Sequence, residues 1–339
     1  MATASRSGPG IFLNRSRISS NGSADAARDI SSYLAEEADQ SGSDRHCVLF
    51  RQIYNRLITI HKPYIRAMPT QKPKNATLME WMLNLAANLR FFSRFPVPSF
   101  HPRDDPMAMP DFRRAPRAFA IAGLVLAMPA MLLLVILAQT ALPPTALAVI
   151  VAATLSATTG GLHEDGLADC ADGFFGSHSQ TRRLEIMKDS HVGTFGVLVV
   201  VFVLILRITL LAAILGAYGI WACIFALPAM AAAGRAAALW PWLLLSPARP
   251  GGLAERYGAP GKSIVLQANL SVLIICLPLF GFYSLAQITL ALACCLIASL
   301  CVGQLAHFKI GGHTGDVIGA SEQMAETGFL LGLLLLHSA

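Results

Sequence analysis

Charged side chains are scarce in this sequence. Only 14% of its 339 residues are charged and 54% are hydrophobic, whereas about 25% of the residues in a soluble globular domain are charged. The mean hydropathy is correspondingly high, at +0.55. This shortage of charge excludes an ordinary soluble domain and predicts an integral membrane protein.

Cysteine pairs and a secretion signal are also lacking. The 7 cysteines include no C-x-x-C pair, and those within apolar runs are Cys223, Cys276, Cys294, Cys295 and Cys301. We expect these side chains to be small buried hydrophobes rather than disulfides or metal ligands. The first 75 or so residues contain no apolar run long enough for the core of a signal peptide. We predict that residues 1–77 form a disordered extension.

Long apolar runs dominate the rest of the chain, at residues 119–142, 145–160, 195–215, 220–245, 264–282, 284–305 and 317–337. Each is long enough, or nearly so, to cross a hydrocarbon core that takes roughly 20 residues. Residues 78–100 precede them and are amphipathic, with aromatic and arginine side chains suited to the membrane interface. The sequence therefore predicts an all-α, polytopic helical bundle in the membrane, with about seven transmembrane helices and an N-terminal interfacial helix.

Basic residues indicate the orientation of the chain. The net charge of +6 is concentrated before the first apolar run, where the arginines include Arg103, Arg113, Arg114 and Arg117. By the positive-inside rule this flank is cytoplasmic. Seven crossings then leave every loop that carries polar motifs on the cytoplasmic face. We expect the lipid bilayer, and not nucleic acid, as the partner of these charges.

The densest group of acids is GGLHEDGLADCADGFFG, at residues 160–176. In a helix, Asp165, Asp169 and Asp172 lie on one face, because their spacing keeps the side chains within roughly 60° of one another. Clustered carboxylates repel unless a cation neutralises them. Oxygen ligands favour Mg²⁺, and the single Cys170 disfavours zinc. The alternative is a solvated helix start whose acids complement the helix dipole.

A second polar segment, KDSHVGTFG at residues 188–196, begins the third apolar run. Lys188, Ser190 and His191 stand beside two glycines, with Arg183 upstream. Cations and free backbone amides at a helix start suit phosphate oxygens, so we predict a phosphate-binding segment. The alternative is a basic membrane flank with a glycine turn.

Two arginines lie inside apolar runs, where a charge is costly and usually faces a polar interior. We interpret Arg207 as structural or snorkelling. Arg235 is flanked by small residues that allow close helix packing, and is either part of a buried ion pair or a phosphate contact. Arg249, in the loop that follows, is a weaker candidate.

A third motif, GGHTGDVIGASEQMAE at residues 311–326, repeats the arrangement of glycines, a histidine and then carboxylates at the start of a span. Asp316, Gln323 and Glu326 fall on one side of a helix. We predict that Asp316 is functional, the alternative being that it caps the last span. The other residues predicted to contact substrate here are Gly311, Gly312, Thr314 and Gln323.

Taken together and in this order, these segments resemble the cobalamin synthase family, adenosylcobinamide-GDP ribazoletransferase. The matching words are FFSRFPVP at 91–98, GGLHEDGLADCADG at 160–173, LEIMKDSHVGTFG at 184–196, GRAA at 234–237 and the motif at 311–326. The resemblance runs from about residue 78 to the C-terminus, and residues 1–77 have no counterpart in it.

The resemblance implies a Mg²⁺-dependent enzyme of the bacterial inner membrane, with residues 78–339 as its membrane-embedded catalytic domain. Such an enzyme joins adenosylcobinamide-GDP to α-ribazole, or to α-ribazole 5′-phosphate, and releases GMP late in cobalamin biosynthesis. The product is adenosylcobalamin or its 5′-phosphate. A homo-oligomer, or association with other enzymes of that pathway, is a further expectation.

Site roles follow from the same resemblance as hypotheses. Asp165, Asp169 and Asp172 would hold the metal at the pyrophosphate, with Glu164 or Asp316 completing its coordination or that of a second ion. The remaining catalytic groups would be Lys188 and Arg235, for the charge of the leaving GMP, and His163 or another acid of the cluster, for the hydroxyl proton.

Two rival functions stay open on sequence grounds. A CDP-alcohol phosphatidyltransferase also carries an acidic cluster at the cytoplasmic end of a span, but its D-x-x-D-G-type spacing differs from D-x-x-x-D-x-x-D here. An ion-coupled transporter would use acids inside spans and broken helices. Against it, we expect no carboxylate in the middle of a span, and the spacing of the runs shows no inverted repeat.

Overall fold

The fold is described by a computed structural model, in residues 77–249 and 258–336. Within these residues the regular elements are helices, with no strand. They are α1 Leu78–Phe92, α2 Phe119–Leu137, α3 Pro144–Thr159, α4 Leu162–Gly176, α5 Gln180–Ile186, α6 Thr194–Ala237, α7 Leu239–Leu244, α8 Lys262–Ile275, α9 Leu285–Ile310 and α10 Gly315–Leu334. The predicted extension at residues 1–77 lies outside the described part, apart from Thr77, which caps α1.

The apolar helices agree with a membrane protein. Four helical stretches are long and apolar enough to cross a bilayer: Ala115–Leu137, Thr194–Leu244, Lys262–Gly281 and Leu285–Ile310. A fifth is added if α3 and α4, which meet at a bend of 90°, form one broken span. The predicted all-helical membrane class is therefore confirmed, whereas the count of seven crossings stays a prediction.

Helix α6 folds back on itself at Gly219. The backbone there has φ 78° and ψ −179°, a conformation that only glycine adopts without strain. Arg207 and Arg235, on either side of Gly219, both contact the carboxylate of Glu326. Along a straight helix these arginines would lie about 42 Å apart. The two halves of α6 are therefore antiparallel, in agreement with the two apolar runs predicted there.

Helices α4 and α10 cross at a close contact. A Cβ at Gly166 would lie 2.9 Å from the carbonyl oxygen of Asp316, so a side chain there would push the helices apart. On the α10 side of the crossing, Gly319 faces the backbone of His163. Helices α3 and α4 meet at an angle of 90° across the turn at Gly160 and Gly161. Since α4 carries a row of acids and turns away from α3, we treat it as lying outside the spans.

Helix α1 is fixed to the segment that leads into α2. Both guanidinium Nη atoms of Arg90 donate to Asp104, at 2.6 and 2.7 Å, and this pairing lowers the pKa of the Asp104 carboxyl. The buried amide of Asn88 donates to the carbonyl of Ala115 at 2.8 Å. These bonds hold the end of α1 where the ring of Phe91 contacts Phe112 and the ring of Phe92 contacts Phe119, the first residue of α2.

The cysteines are only partly as predicted. Cys223, Cys276 and Cys295 are buried and Cys294 is partly buried, but Cys301 is exposed. The buried face of α9 repeats every three to four residues through positions that include Cys295 and Ser299, and Cys301 lies on the opposite side of the helix. The prediction that Cys301 is buried is therefore wrong.

Candidate active site

A cavity of about 250 Å³ lies at the crossing of α4 and α10. Its apolar side is lined by five aromatic residues, here called the aromatic wall: Phe91, Phe92, Phe112, Phe119 and Trp242. Its polar side is lined by His163, Asp165, Arg235, Asp316 and Glu322, with Arg249 also on the lining. The cavity is therefore lined both by residues of the acidic motif, such as Asp165, and by residues of the C-terminal motif, such as Asp316.

The carboxylates around this crossing influence one another. Burial, together with the charges of Asp316, Asp165 and Asp172, raises the pKa of Asp169 to about 7. The hydroxyl of Thr314 donates to Asp316 Oδ2 at 3.1 Å, and Arg249 Nη2 lies 3.8 Å from the same oxygen. Mutual repulsion of this kind favours the arrival of a cation. Within the described residues, however, no three acidic, histidine or cysteine side chains are grouped closely enough to hold a metal by themselves.

The sequence groups Asp172 with Asp165 and Asp169. In the structure, the Asp172 carboxylate instead makes hydrogen bonds to the start of α6. Its Oδ2 accepts the Gly193 N–H at 2.7 Å and its Oδ1 accepts the Gly196 N–H at 2.9 Å. Gly193 and Gly196 are the cap and first turn of α6, whose amides have no partner within the helix. Asp172 therefore caps α6 from a neighbouring helix. Its predicted place among the metal ligands gains no support from this geometry.

Replacing Asp172 by asparagine tests this assignment. Asparagine is uncharged and has one acceptor oxygen, so it can accept only one of the two N–H groups, and we expect the free energy of unfolding to fall by about 1.5–3 kcal/mol. Turnover by the protein that remains folded should stay within a fewfold of the wild type. The measurements are an unfolding titration in detergent and the specific activity of the folded fraction. Unchanged stability with lost turnover would restore Asp172 as a metal ligand.

The polar side chains of the predicted phosphate segment lie apart from the acids, although its Gly193 and Gly196 amides donate to Asp172. Lys188, Ser190 and His191 are exposed between α5 and α6, with no contact to the acidic cluster among the described residues. His191 Nδ1 lies 2.6 Å from Asp189 Oδ1, which raises the pKa of His191. Arg183 donates to the carbonyls of Ser177 and Lys309 and so ties α5 to the end of α9. Its interactions are structural as they stand, and the phosphate role of the segment stays a prediction.

The glycines and polar residues of the C-terminal motif mostly build the turn between α9 and α10. Gly311 has φ 77° and ends α9, and Gly312 packs against the backbone of Ser246. The Val317 N–H donates to Thr314 Oγ1 at 3.3 Å, so Thr314 is the cap of α10. That cap leaves Asp316 free of the capping role considered for it. Gln323 is buried, with its side-chain amide against Glu322.

A buried ion-pair network lies behind the polar side of the cavity. Arg207 pairs with Glu326 at 2.7 Å, and Arg235 pairs with Glu322 at 3.0 Å and with Glu326 at 3.2 Å. His163 Nδ1 lies 3.4 Å from Glu322 Oε2. Of the two alternatives for Arg235, the buried ion pair is the one seen. Because its guanidinium is already paired with two glutamates, its predicted contact with phosphate gains no support.

The network also corrects one sequence argument. Glu322 and Glu326 lie in the interior of α10, so the expectation that no carboxylate sits within a span-length helix is wrong. Both glutamates are paired with arginines. They are therefore not unpaired acids of the kind that an ion-coupled transporter would use inside its spans. Glu164, a predicted catalytic residue, also faces inward, where its Oε1 accepts the hydroxyl of Ser156.

Sequence reasoning missed Glu322 and the whole aromatic wall, because it assigned the aromatic residues of 78–100 to the membrane interface rather than to a cavity. A signal for Glu322 was present, because two glutamates four residues apart in an apolar helix need cationic partners, and Arg207 and Arg235 are the arginines inside other apolar runs. Phe112 and Trp242 gave no such signal, since aromatic residues are common in apolar sequence.

Comparison with known proteins gives a consistent result. The family model described as CobS, cobalamin-5-phosphate synthase, matches residues 84–334. The curated adenosylcobinamide-GDP ribazoletransferase of Brucella ovis is 38% identical over 251 residues, which are 73% of this chain and 95% of the relative. Proteins of the same name from Brucella canis and Brucella suis match with the same identity and coverage. No solved structure matches the chain.

The matched region contains every residue that lines the cavity at the crossing of α4 and α10. It also contains the ion-pair network behind that cavity. The match therefore covers most of the chain and the whole candidate site, and this chain belongs to the cobalamin-5-phosphate synthase family.

Proposed function

We propose that this chain transfers the cobinamide phosphate of adenosylcobinamide-GDP to α-ribazole, or to its 5′-phosphate, and releases GMP. The product is adenosylcobalamin or its 5′-phosphate. The observation that carries the proposal is the meeting of Asp165 and Asp316 at one cavity inside the region that matches the family. Membership of the family also excludes the two rival functions as the main activity.

The reaction exchanges one phosphorus–oxygen bond for another. A hydroxyl oxygen of ribazole bonds to the phosphorus next to cobinamide, the bond from that phosphorus to the bridging oxygen breaks, and GMP leaves with that oxygen. The hydroxyl proton passes to a base of the site. Catalysis of such a transfer is mostly positioning and charge neutralisation. Three carboxylates line the cavity, and Glu322 is paired with Arg235. Asp165 and Asp316 are therefore the carboxylates that can take the proton, with His163 as the neighbouring candidate.

The donor set around the crossing fits Mg²⁺. Asp165, Asp169 and Asp316 offer hard oxygen ligands, and Mg²⁺ is usually held by one or two carboxylates together with substrate phosphates and water. A complete protein cage is not needed for such an ion. When bound, Mg²⁺ would neutralise charge on the pyrophosphate. The exposed carboxylate of Asp165 and the partly buried one of Asp169 would hold it from α4, and Asp316 from α10.

Release of GMP tests the function and the metal together. Membranes that contain the full chain, given adenosylcobinamide-GDP, α-ribazole and Mg²⁺, should form GMP and a cobalamin in equal amounts. Chelation with EDTA should stop both, because pyrophosphate charge is then left uncompensated, and excess Mg²⁺ should restore them. Mass spectrometry of both products is the measurement.

Two outcomes contradict this proposal in different ways. GMP formation that does not depend on ribazole would remove the transfer reaction. Full activity in EDTA would remove the metal while leaving the transfer intact. Membranes carrying an Asp165→Asn variant are the control for background nucleotide hydrolysis.

The proposed membrane arrangement has seven crossings and the cavity on the cytoplasmic side of a bacterial inner membrane. The fold-back at Gly219 divides the 51-residue stretch Thr194–Leu244 into two lengths that each suit one crossing. Helix α10 has 20 residues, about 30 Å, and its interior acids Glu322 and Glu326 are paired with arginines of α6. The arginines before α2 support the orientation.

A further inference from the structure

The aromatic wall is a rigid surface of interlocked rings. Phe91 and Phe112 have ring centroids 5.4 Å apart, Phe92 and Phe119 4.8 Å, and Phe112 and Trp242 5.0 Å, all edge-on or tilted. Each ring is therefore held by at least one other in a favourable aromatic geometry. All five rings line the cavity, although Phe112 and Phe119 are only 1% and 2% exposed and also belong to the hydrophobic core. Charged carboxylates alone would not need such a surface, so it indicates a second part of the site with a different ligand chemistry.

Buried nitrogen atoms without a hydrogen-bond partner occur on three side chains that line the cavity, and one of them, Arg235 Nε, belongs to a guanidinium already paired with two glutamates. The other two lie at the aromatic wall. They are Trp242 Nε1 and His313 Nε2, on residues that line the cavity and are only 6% and 5% exposed. A buried polar group without a partner costs free energy, so such groups usually receive a ligand or ordered water. Trp242 Nε1 can only donate. Burial lowers the pKa of His313 to about 4, so its ring is neutral and offers one donor and one acceptor nitrogen.

The size and the polar groups of the cavity indicate which part of the two substrates fits at the aromatic wall. A volume of about 250 Å³ is below the range of about 300–1,000 Å³ that holds drug-sized ligands, so a whole corrin ring is excluded. Guanine has polar atoms on both edges and would need more partners than the two nitrogens at the aromatic wall provide, whereas the carboxylates and arginines line the other side of the cavity. The dimethylbenzimidazole of ribazole is flat, mostly apolar and has one free ring nitrogen, which matches an aromatic face beside a single obligatory donor.

We propose that the aromatic wall, with Trp242 Nε1 and His313, is the binding site for the base of the ribazole acceptor. The base packs on the wall and its ring nitrogen accepts a hydrogen bond from Trp242. The ribose then extends toward Asp165 and Asp316, where its hydroxyl meets the phosphorus of the donor. This inference rests on the proposed function and adds to it which substrate occupies which half of the cavity.

Trp242→Phe tests the proposal, because it keeps the aromatic ring and removes only the donor. We expect the KM for α-ribazole to rise about tenfold, the cost of one buried hydrogen bond. The KM for adenosylcobinamide-GDP should stay within about twofold. Equilibrium dialysis of labelled α-ribazole against the detergent-solubilised full chain, without donor, should show the same loss of affinity. Trp221→Phe is the matched control, since Trp221 is 58% exposed on α6.

The contradicting results are specific. Unchanged ribazole affinity in Trp242→Phe, or a higher KM for the donor instead of the acceptor, would overturn the assignment. If Trp242→Phe does not fold, competition on the wild-type protein decides: free 5,6-dimethylbenzimidazole should displace labelled α-ribazole, and failure to do so overturns the proposal. Because dialysis needs no turnover, it separates failure of this binding site from failure of GMP release, which would concern the proposed function.

Discussion

Asp165→Asn is expected to slow GMP release by about 100-fold or more while the protein folds normally. The substitution removes a negative charge that lines the cavity and would hold the proposed Mg²⁺, and loss of one such electrostatic contact in an active site costs about 10²–10³ in rate. Asp165 is exposed, so little packing or hydrogen bonding depends on it. The measurement is the initial rate of GMP release at saturating concentrations of both substrates.

A control separates this effect from a general loss of charge. Asp105→Asn makes the same chemical change at an exposed position in the segment between α1 and α2, outside the residues that line the cavity. This variant should keep the wild-type rate within about twofold. An Asp165→Asn enzyme as fast as the Asp105→Asn control would remove Asp165 from the site.

Glu326→Ala is expected to cause the largest loss of stability. The change leaves Arg207, which is 1% exposed, with no carboxylate partner, and takes one of two partners from Arg235. Removing one member of a buried ion pair typically costs about 3–5 kcal/mol, because an uncompensated charge stays buried. The measurement is the free energy of unfolding of the detergent-solubilised chain, titrated with denaturing detergent.

A second variant makes this prediction specific to charge. Replacing Arg207 and Glu326 together by methionine removes both members of one pair and leaves the Arg235–Glu322 pair at 3.0 Å intact. Apolar side chains of similar volume often replace a buried pair without loss, so this double variant should be clearly more stable than Glu326→Ala. Equal stability of Glu326→Ala and the wild type would show that the network carries little of the folding energy.

The fold class could be predicted from sequence because it depends on local composition. Apolar runs fix where helices lie, and even the fold-back at Gly219 was marked by the interruption between two runs. The crossing of α4 and α10 could not be predicted from sequence, because the contact of Gly166 with Asp316 joins segments far apart in the chain. The motifs indicated which residues matter, and only tertiary structure shows which of them meet.

The three aspartates of the acidic face also show that sequence alone does not reveal tertiary contacts. Helical periodicity places Asp172 with Asp165 and Asp169, and nothing local distinguishes the three. The distinction arises from the start of α6, whose amides at Gly193 and Gly196 take both oxygens of Asp172. Arg235 is a similar case, since its partners Glu322 and Glu326 lie on a helix that is remote in sequence.

A double-mutant cycle on Asp165 and Asp316 tests most directly whether acids from α4 and α10 act as one catalytic unit. The rate of GMP release is measured for Asp165→Asn, Asp316→Asn and the double variant, with an assay that resolves a loss of about 10⁴-fold. Residues that act as a unit show strongly non-additive effects, so the double variant should be little slower than the slower single variant. Losses that multiply, as they do at independent sites, would contradict a shared centre at this crossing.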